Sequence, residues 1–283
     1  MASPRGDLVD AASSAITVIA AAVVLLRLGT RVIVNRKSGL DDLWITLAMV
    51  FSAALTVAVP VQTRNGVGMH ISGVNPDMVC RLSRAAWVGL IVYGLSLTFT
   101  KISILVLYLR VFPSRRFRIG CFCLLTFIIC YGIWVLLGSI FMCYPASYLW
   151  NRPQSHGHCQ LERFWIYCLN ASVNIAQEFA ILLLPMPLLR RLRLLRGQKI
   201  ALICVFALGG FVSIISIVWI CHLATLRRSQ DLTFDSALPS LYSTIEANVA
   251  IVCACLPVLR PLFARIVPDF VLFFPKAELD SAY

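Results

Sequence analysis

Apolar runs long enough to cross a bilayer recur seven times along this chain, and nothing constrains its fold more. They lie at approximately 9–33, 43–62, 86–112, 119–141, 165–189, 200–225 and 241–263. About 20 helical residues cover the roughly 30 Å of a hydrocarbon core. The breaks agree: 35–42, 113–118 and 190–199 are short and charged, while 63–85, 142–164 and 226–240 are longer and richer in Pro, Gly, Asn and Asp. Only 13% of the 283 residues are charged and mean hydropathy is +0.84, whereas a soluble domain carries about 25% charged residues. One aqueous core cannot hide that much apolar surface; lipid can solvate it if every backbone group is satisfied within helices. The expected fold is all-α, a single bundle of seven transmembrane helices over residues 1–283, with 264–283 as a short cytosolic tail. The run at 11–26 follows Asp7 and Asp10 and continues into Arg27 without a cleavage site, so it reads as the first span and not as a signal peptide.

Basic residues set the orientation. With the N-terminus outside, 15 Lys and Arg fall on the inner side and 8 on the outer, while Arg27 and Lys101 lie within spans. That bias favours N-terminus out. The formal net charge of +12 is then a topology signal and an attraction to anionic membrane lipids. Nucleic acid is not an expected partner, because the basic residues are scattered over loops. The plasma membrane is the expected location, with an endomembrane as the alternative.

Ionisable groups at mid-membrane face the bundle interior and keep a partner. Lys101 stands in the third run, eight residues from any other charge on its inner side. In the fifth run Asn170, Asn174 and Glu178 recur every four residues, with Gln177 beside them, and so share a helix face. In the seventh, Tyr242 and Glu246 share a face. Lys101 and Glu178 each lie about 11 residues from the inner end of their spans, hence at similar depth at ~1.5 Å per residue. Lys101 is therefore expected to pair with Glu178, with Glu246, nearer the outer third, as the alternative. Such a pair either fixes helix register or lines a ligand pocket. A retinal Schiff base needs a lysine in the last span; the chain's lysines are Lys37, Lys101, Lys199 and Lys276, so neither retinal nor another cofactor is expected.

Of the 11 cysteines, Cys80, Cys143 and Cys159 fall on the outer side, where disulfides persist. Cys143 and Cys159 share one loop and are the expected bridge, with Cys80 as a competing partner. His156 and His158 lack a second pair of ligands, so no metal site is expected. Asn170-Ala171-Ser172 fits a glycosylation pattern but lies inside a span, out of reach of the modifying enzyme. Trp87, Trp150 and Trp165 sit near outer boundaries as candidate interfacial anchors. On the inner side, Asp41 and Asp42, Arg110, and Arg190 and Arg191 in the loop RRLRLLRGQK are candidates for coupling to a cytosolic transducer. A lipid-facing extension of the fifth helix is the plainer reading of that loop.

Five blocks carry a resemblance: GLDDLW (39–44), LTFTKISILVLYLRVFP (97–113), FMCYPASYLWN (141–151) leading to Cys159, NIAQEFAILLLPMPLLRRL (174–192) and IEANVAIVCACLPVLRPLF (245–263). In this order the chain resembles the fungal rhodopsin-domain family, seven-span proteins of filamentous fungi described as receptor-like. The family's lysine, arginine, paired cysteines and last-span glutamate map onto Lys101, Arg110, Cys143, Cys159 and Glu246. Its fifth-span acid is usually aspartate and is Glu178 here. The resemblance implies a receptor-like membrane protein without retinal, sensing an unknown small-molecule or surface-cue ligand, with a heterotrimeric G protein as expected partner. Some members are encoded among secondary-metabolite genes, which implies a membrane-embedded pathway component as the alternative. That component would be an acid-catalysed cyclase using Glu178 or Glu246, or a transporter. No nucleophile–base pair or metal cluster marks an enzyme, so no catalytic residue is assigned.

Overall fold

The computed structural model of the protein describes residues 4–35, 39–69, 75–141, 143–144, 148, 158–159, 164–187, 209–211, 213–218, 221 and 237–266. They form α1 (Pro4–Thr30), a π-helical turn (Arg31–Asn35), α2 (Leu40–Arg64), α3 (Pro76–Val111), α4 (Arg115–Ile140), a two-residue ladder of β1 (Cys143–Tyr144) and β2 (His158–Cys159), α5 (Phe164–Leu183) and a long last helix (Ala237–Ile266). A shorter apolar helix, α6, runs Gly209–Val218; the last helix is hereafter α7. Five of these, α1 to α4 and α7, are long and apolar enough to cross a membrane. Helix α5 has 20 residues, about 30 Å at ~1.5 Å per residue.

Local chemistry sets the ends. At the start of α2 the Asp42 amide donates to the Gly39 carbonyl (3.0 Å) and the Gly39 amide to Asp42 Oδ2 (3.1 Å). This reciprocal box satisfies donors that a helix start leaves orphaned. Pro76 stands in the first turn of α3 behind Asn75, where a missing N–H costs nothing. Pro113 follows the Phe112 cap, and the chain turns over a cluster of Tyr108, Phe112 and Phe117, with Phe112 and Phe117 5.0 Å apart.

Neighbouring helices run antiparallel. The end of α1 meets the start of α2 through Arg27 and Asp42, and the end of α2 returns to the start of α1 through Thr63 and Asp10 (2.9 Å). Early in α3, Trp87 donates to the Ser139 carbonyl late in α4 (2.7 Å). That bond turns the indole N–H of Trp87 towards α4. Trp150 and the Trp165 side chain lie outside the described residues.

Two of the four buried apolar clusters among the described residues are the largest. One joins α1, α2 and α7 through Val24, Ile45, Ala48, Ile251 and Leu259; the other joins α3, α4 and α5 through Ile102, Leu105, Ile128 and Ile181. Between α1, α2 and α7 the buried Asn248 receives Ser52 Oγ (2.9 Å) and donates to Thr17 Oγ1 (3.0 Å), a cross-helix tie suited to an apolar solvent. Helix α4 presents Phe122, Phe127, Ile133 and Trp134 outward, the apolar surface that lipid accepts and water penalises. At Gly132 an added Cβ would lie 2.7 Å from the Thr98 side chain, so α3 and α4 approach through this glycine.

The sequence expectations need one correction at α3. That helix starts at Pro76, ten residues before the apolar run, inside the stretch expected as loop. Hydropathy reports where lipid begins, and a helix can continue beyond it with Arg81 and Arg84 in the polar region.

Candidate functional site

In the middle of the bundle, Lys101 on α3 is 6% exposed and has no ion-pair contact among the described residues. Its ammonium donates to Asn174 Oδ1 (2.6 Å), the Asn174 carbonyl (3.2 Å) and Gln177 Oε1 (2.9 Å), all on α5. These use its three N–H groups. The Asn174 side-chain amide then donates to Glu178 Oε1 (3.0 Å) and Glu246 Oε1 (3.1 Å). Both carboxylates attract the ammonium across that amide. The direct Lys101–Glu178 pair expected from sequence is thus replaced by a relay. Asn174 is one turn closer to Lys101 than Glu178 is, and its amide can accept on one side and donate on the other.

Glu246 closes the network from α7 at 1% exposure. Its Oε2 accepts from Tyr93 (2.7 Å) and its Oε1 from Ser216 (2.8 Å) on α6. Ser216 also stands 3.4 Å from Glu178 Oε2. Glu246 was expected nearer the outer third; α7 begins at Ala237, one turn before the apolar run, and Glu246 shares the layer of Asn174. Residues from α3, α5, α6 and α7 therefore converge on one buried set of a cation and two acids.

A partly open cavity of about 100 Å³ adjoins this network. Lys101, Asn170, Asn174, Gln177 and Glu246 line it, as the sequence predicts for a polar face; Tyr242 and Glu178 do not. Tyr93, Tyr131 and Ser216 also line it and were not foreseen. Tyr131 donates to the Asn170 carbonyl (2.7 Å) and so ties α4 to α5. The remaining wall includes Leu90, Leu97, Val135 and Ala171. Gln177 Nε2 is buried and has no hydrogen-bond partner among the described residues.

A second charged centre lies where α1 ends, α2 begins and α3 ends. Arg27, fully buried, reaches Asp41 Oδ2 (2.7 Å), Asp42 Oδ1 (3.0 Å) and the Ala254 carbonyl of α7 (2.8 Å). Arg31 reaches Asp41 Oδ2 (2.7 Å) and Arg110 reaches Asp41 Oδ1 (3.3 Å). Ser103 donates to the Asp41 backbone carbonyl (2.7 Å). Three guanidinium groups and two carboxylates thus bind four helices. Asp41, Asp42 and Arg110 meet here as candidates from sequence, and Arg27 and Arg31 join them. The missed signal was the spacing of Arg27 and Arg31 by one helical turn just before GLDD. Arg190 and Arg191 lie outside the described residues.

Glycine at position 39 belongs to this centre. A Cβ there would collide with the Asp41 carboxylate and the Arg110 guanidinium. Gly39→Ala is expected to cost about 1–3 kcal/mol, as overpacking does, and to lower the thermal unfolding midpoint in lipid nanodiscs. An unchanged midpoint would show that Arg110 moves away freely.

At the opposite end β1 and β2 pair antiparallel with Cys143 opposite Cys159. Directly opposed residues hold their Cα atoms about 4.5–5.5 Å apart, within disulfide reach. Cys143 is disulfide-bonded, and Cys80, the competitor, is free. His156 and the side chain of His158 lie outside the described residues.

A model of the fungal rhodopsin domain matches residues 26–265. A SAT4 family membrane protein of Emericella nidulans is 29% identical over 218 residues, covering 76% of this chain and 53% of that protein. Satratoxin biosynthesis SC1 cluster protein 4 of Stachybotrys chartarum is 26% identical, covering 62% of this chain and 63% of that protein. Receptor GIN3 of Arthrobotrys oligospora is 26% identical over 110 residues, 39% of this chain and 27% of that protein. The chain thus spans only 53% of the first relative and 63% of the second. No solved structure matches it. With its apolar helices and a domain match that takes in both charged centres, this multi-pass membrane protein belongs to the fungal rhodopsin-domain family.

Proposed function

We propose that the chain is a receptor-like protein of seven spans, N-terminus outside and in the plasma membrane. It senses a small ligand in the cavity beside Lys101, without retinal. What supports this most is one observation: the cavity opens onto a buried network that joins α3, α5, α6 and α7, so an occupant that displaces Asn174 or Gln177 acts on four helices together. Such a network is a two-state element that a ligand can bias. The Arg27–Asp41–Arg110 centre, at the inner end in this orientation, reports the change to a cytosolic partner, a heterotrimeric G protein being the expected one. A Cys143–Cys159 bridge holds the outer loop. The similarity to Receptor GIN3 adds support. The test is nucleotide exchange on a fungal G protein reconstituted with the protein and fractionated fungal metabolites. The reading expects stimulation that Lys101→Met abolishes at equal surface expression. Exchange no higher than with empty membranes would contradict it.

A second reading draws on the relative from the satratoxin cluster. Here the protein is a membrane-embedded component of a secondary-metabolite pathway, with Glu178 or Glu246 supplying acid chemistry. Accumulation of a precursor on Glu246→Gln, with expression intact, would favour it over the receptor.

The bridge makes its own prediction. Peptide mapping without reduction is expected to recover Cys143 linked to Cys159 and Cys80 alkylated. A peptide linking Cys80 to either would overturn the pairing.

A further inference from the structure

We propose that the start of α4 and the helix face that continues from it bind one anionic phospholipid of the adjoining leaflet, with Arg115, Arg116 and Arg118 holding the phosphate-bearing headgroup. This assigns a place and a bound molecule, beyond the general pull of a chain of net charge +12 on anionic lipid, and it does not depend on the reading of the cavity. Uncompensated charge is the first observation. All three arginines are exposed, and their side chains have no hydrogen bond or ion pair among the described residues. The sequence holds no Asp or Glu between Asp77 and Glu162, so neither α4 nor α3 beyond its first turn supplies a partner. The acids of the neighbouring centre are already taken. Asp41 holds Arg27, Arg31 and Arg110, and Asp42 holds Arg27 at 3.0 Å and Arg31 at 3.7 Å. The described side chains therefore leave a surplus of cations at this end of the bundle. That surplus consists of guanidinium groups, whose planar fork matches phosphate oxygens two at a time.

Location selects a lipid over a soluble anion or a cytosolic protein. Arg115, Ile119 and Phe122 follow one another at four- and three-residue steps and so share one face of α4. Ile119 and Phe122 are exposed, as are Ile129 and Ile133 further along that face, and α4 is long and apolar enough to cross a membrane. Arg115 thus stands one turn from the first apolar contact, about 6 Å along the axis, comparable to the thickness of one headgroup layer. The connection from α3 is short, Phe112 to Ser114. Phe112 packs on Tyr108 and Phe117, so the patch is held close to the bilayer surface and not carried on a projecting loop. An occupant with a charged head and apolar chains fits both parts of this surface, whereas a soluble anion uses only the first.

The test uses the full chain in mixed micelles holding phosphatidylcholine and phosphatidylglycerol of matched chains in equal amounts, with retained lipid counted by native mass spectrometry. The wild type should retain one phosphatidylglycerol, with a preference over phosphatidylcholine of about tenfold or more. In the triple variant Arg115→Gln, Arg116→Gln, Arg118→Gln the ratio should fall close to one. In Arg190→Gln, Arg191→Gln, Arg193→Gln, which removes the same charge from another loop, the preference should persist. Equal loss in the two variants would mean a pull of net charge without a site, and a preference that survives the first variant would place the lipid elsewhere; either overturns the proposal. A photoreactive phosphatidylglycerol on the wild type supplies a readout that no variant's folding can disturb. Its adducts should concentrate in residues 115–122, and adducts confined to other helices would overturn the site. The soluble headgroup, glycerophosphoglycerol, should leave the lipid bound even in large excess; displacement would overturn the lipid in favour of a soluble phosphate. A wild type without preference for phosphatidylglycerol would leave the patch to topology or to an acidic protein segment, and would overturn the proposal.

Discussion

Replacing Asp41 by alanine is expected to cause the largest loss of stability of any single substitution outside the apolar cores. Its carboxylate receives Arg27, Arg31 and Arg110 at 2.7, 2.7 and 3.3 Å and is 1% exposed. Removing it leaves Arg27, itself fully buried, with Asp42 and one backbone carbonyl against three converging guanidinium groups. Breaking a buried ion pair by deleting one partner costs about 3–5 kcal/mol because the other charge stays behind. Total stabilities run only about 5–15 kcal/mol, so the variant should lose much of its folded population. In nanodiscs its unfolding midpoint should drop by roughly 10 °C, and little should reach the cell surface. Asp42→Ala should cost less, since Asp42 makes one close contact to a guanidinium, at 3.0 Å, and a longer one, at 3.7 Å. Equal costs would show that the two acids share the guanidinium groups more evenly than the distances imply.

The second large effect is expected at Lys101. Lys101→Met removes a buried cation that attracts Glu178 and Glu246 and leaves two acids joined through Asn174. The expected destabilisation is again about 3–5 kcal/mol. Asn174→Leu should cost less, about 1–3 kcal/mol for buried groups left unsatisfied, because the charges remain near enough to compensate each other. If Asn174→Leu proved as damaging as Lys101→Met, the amide and not the ammonium would be the keystone of the network.

Much of this organisation was legible in the residues. The apolar runs located α1 to α5 and α7, because lipid leaves helices no other composition to adopt. The four-residue spacing of Asn170, Asn174 and Glu178 placed them together, since that period is intrinsic to a helix. What could not be read was rotation and tilt between helices. Spacing shows that Lys101 and Glu178 lie at similar depth, but only packing shows that Asn174 reaches the ammonium first. The same holds for Tyr93 and Ser216, ordinary residues in apolar runs whose role depends on facing Glu246 from other helices. Tyr242 shares a helix face with Glu246 but stands one turn away along α7 and does not line the cavity wall. Arg27 reads from sequence only as a charge deep in a span, although its partners are two acids fifteen and fourteen residues later. A charge pair across a tight helix–helix turn leaves a sequence signal, whereas a pair between distant helices leaves almost none.

The central claim is that a buried cation and two buried acids compensate one another across an amide, inside the bundle and away from lipid. A double-mutant cycle measures this most directly, with Lys101→Met, Glu246→Gln and the double variant compared by reversible unfolding in nanodiscs. Glu246→Gln removes one of the two charges that Lys101→Met strands, so it should restore part of the lost stability, with a coupling of about 1–3 kcal/mol. Strictly additive losses, or a double variant less stable than additivity allows, would mean that Lys101 and Glu246 do not share a charge network.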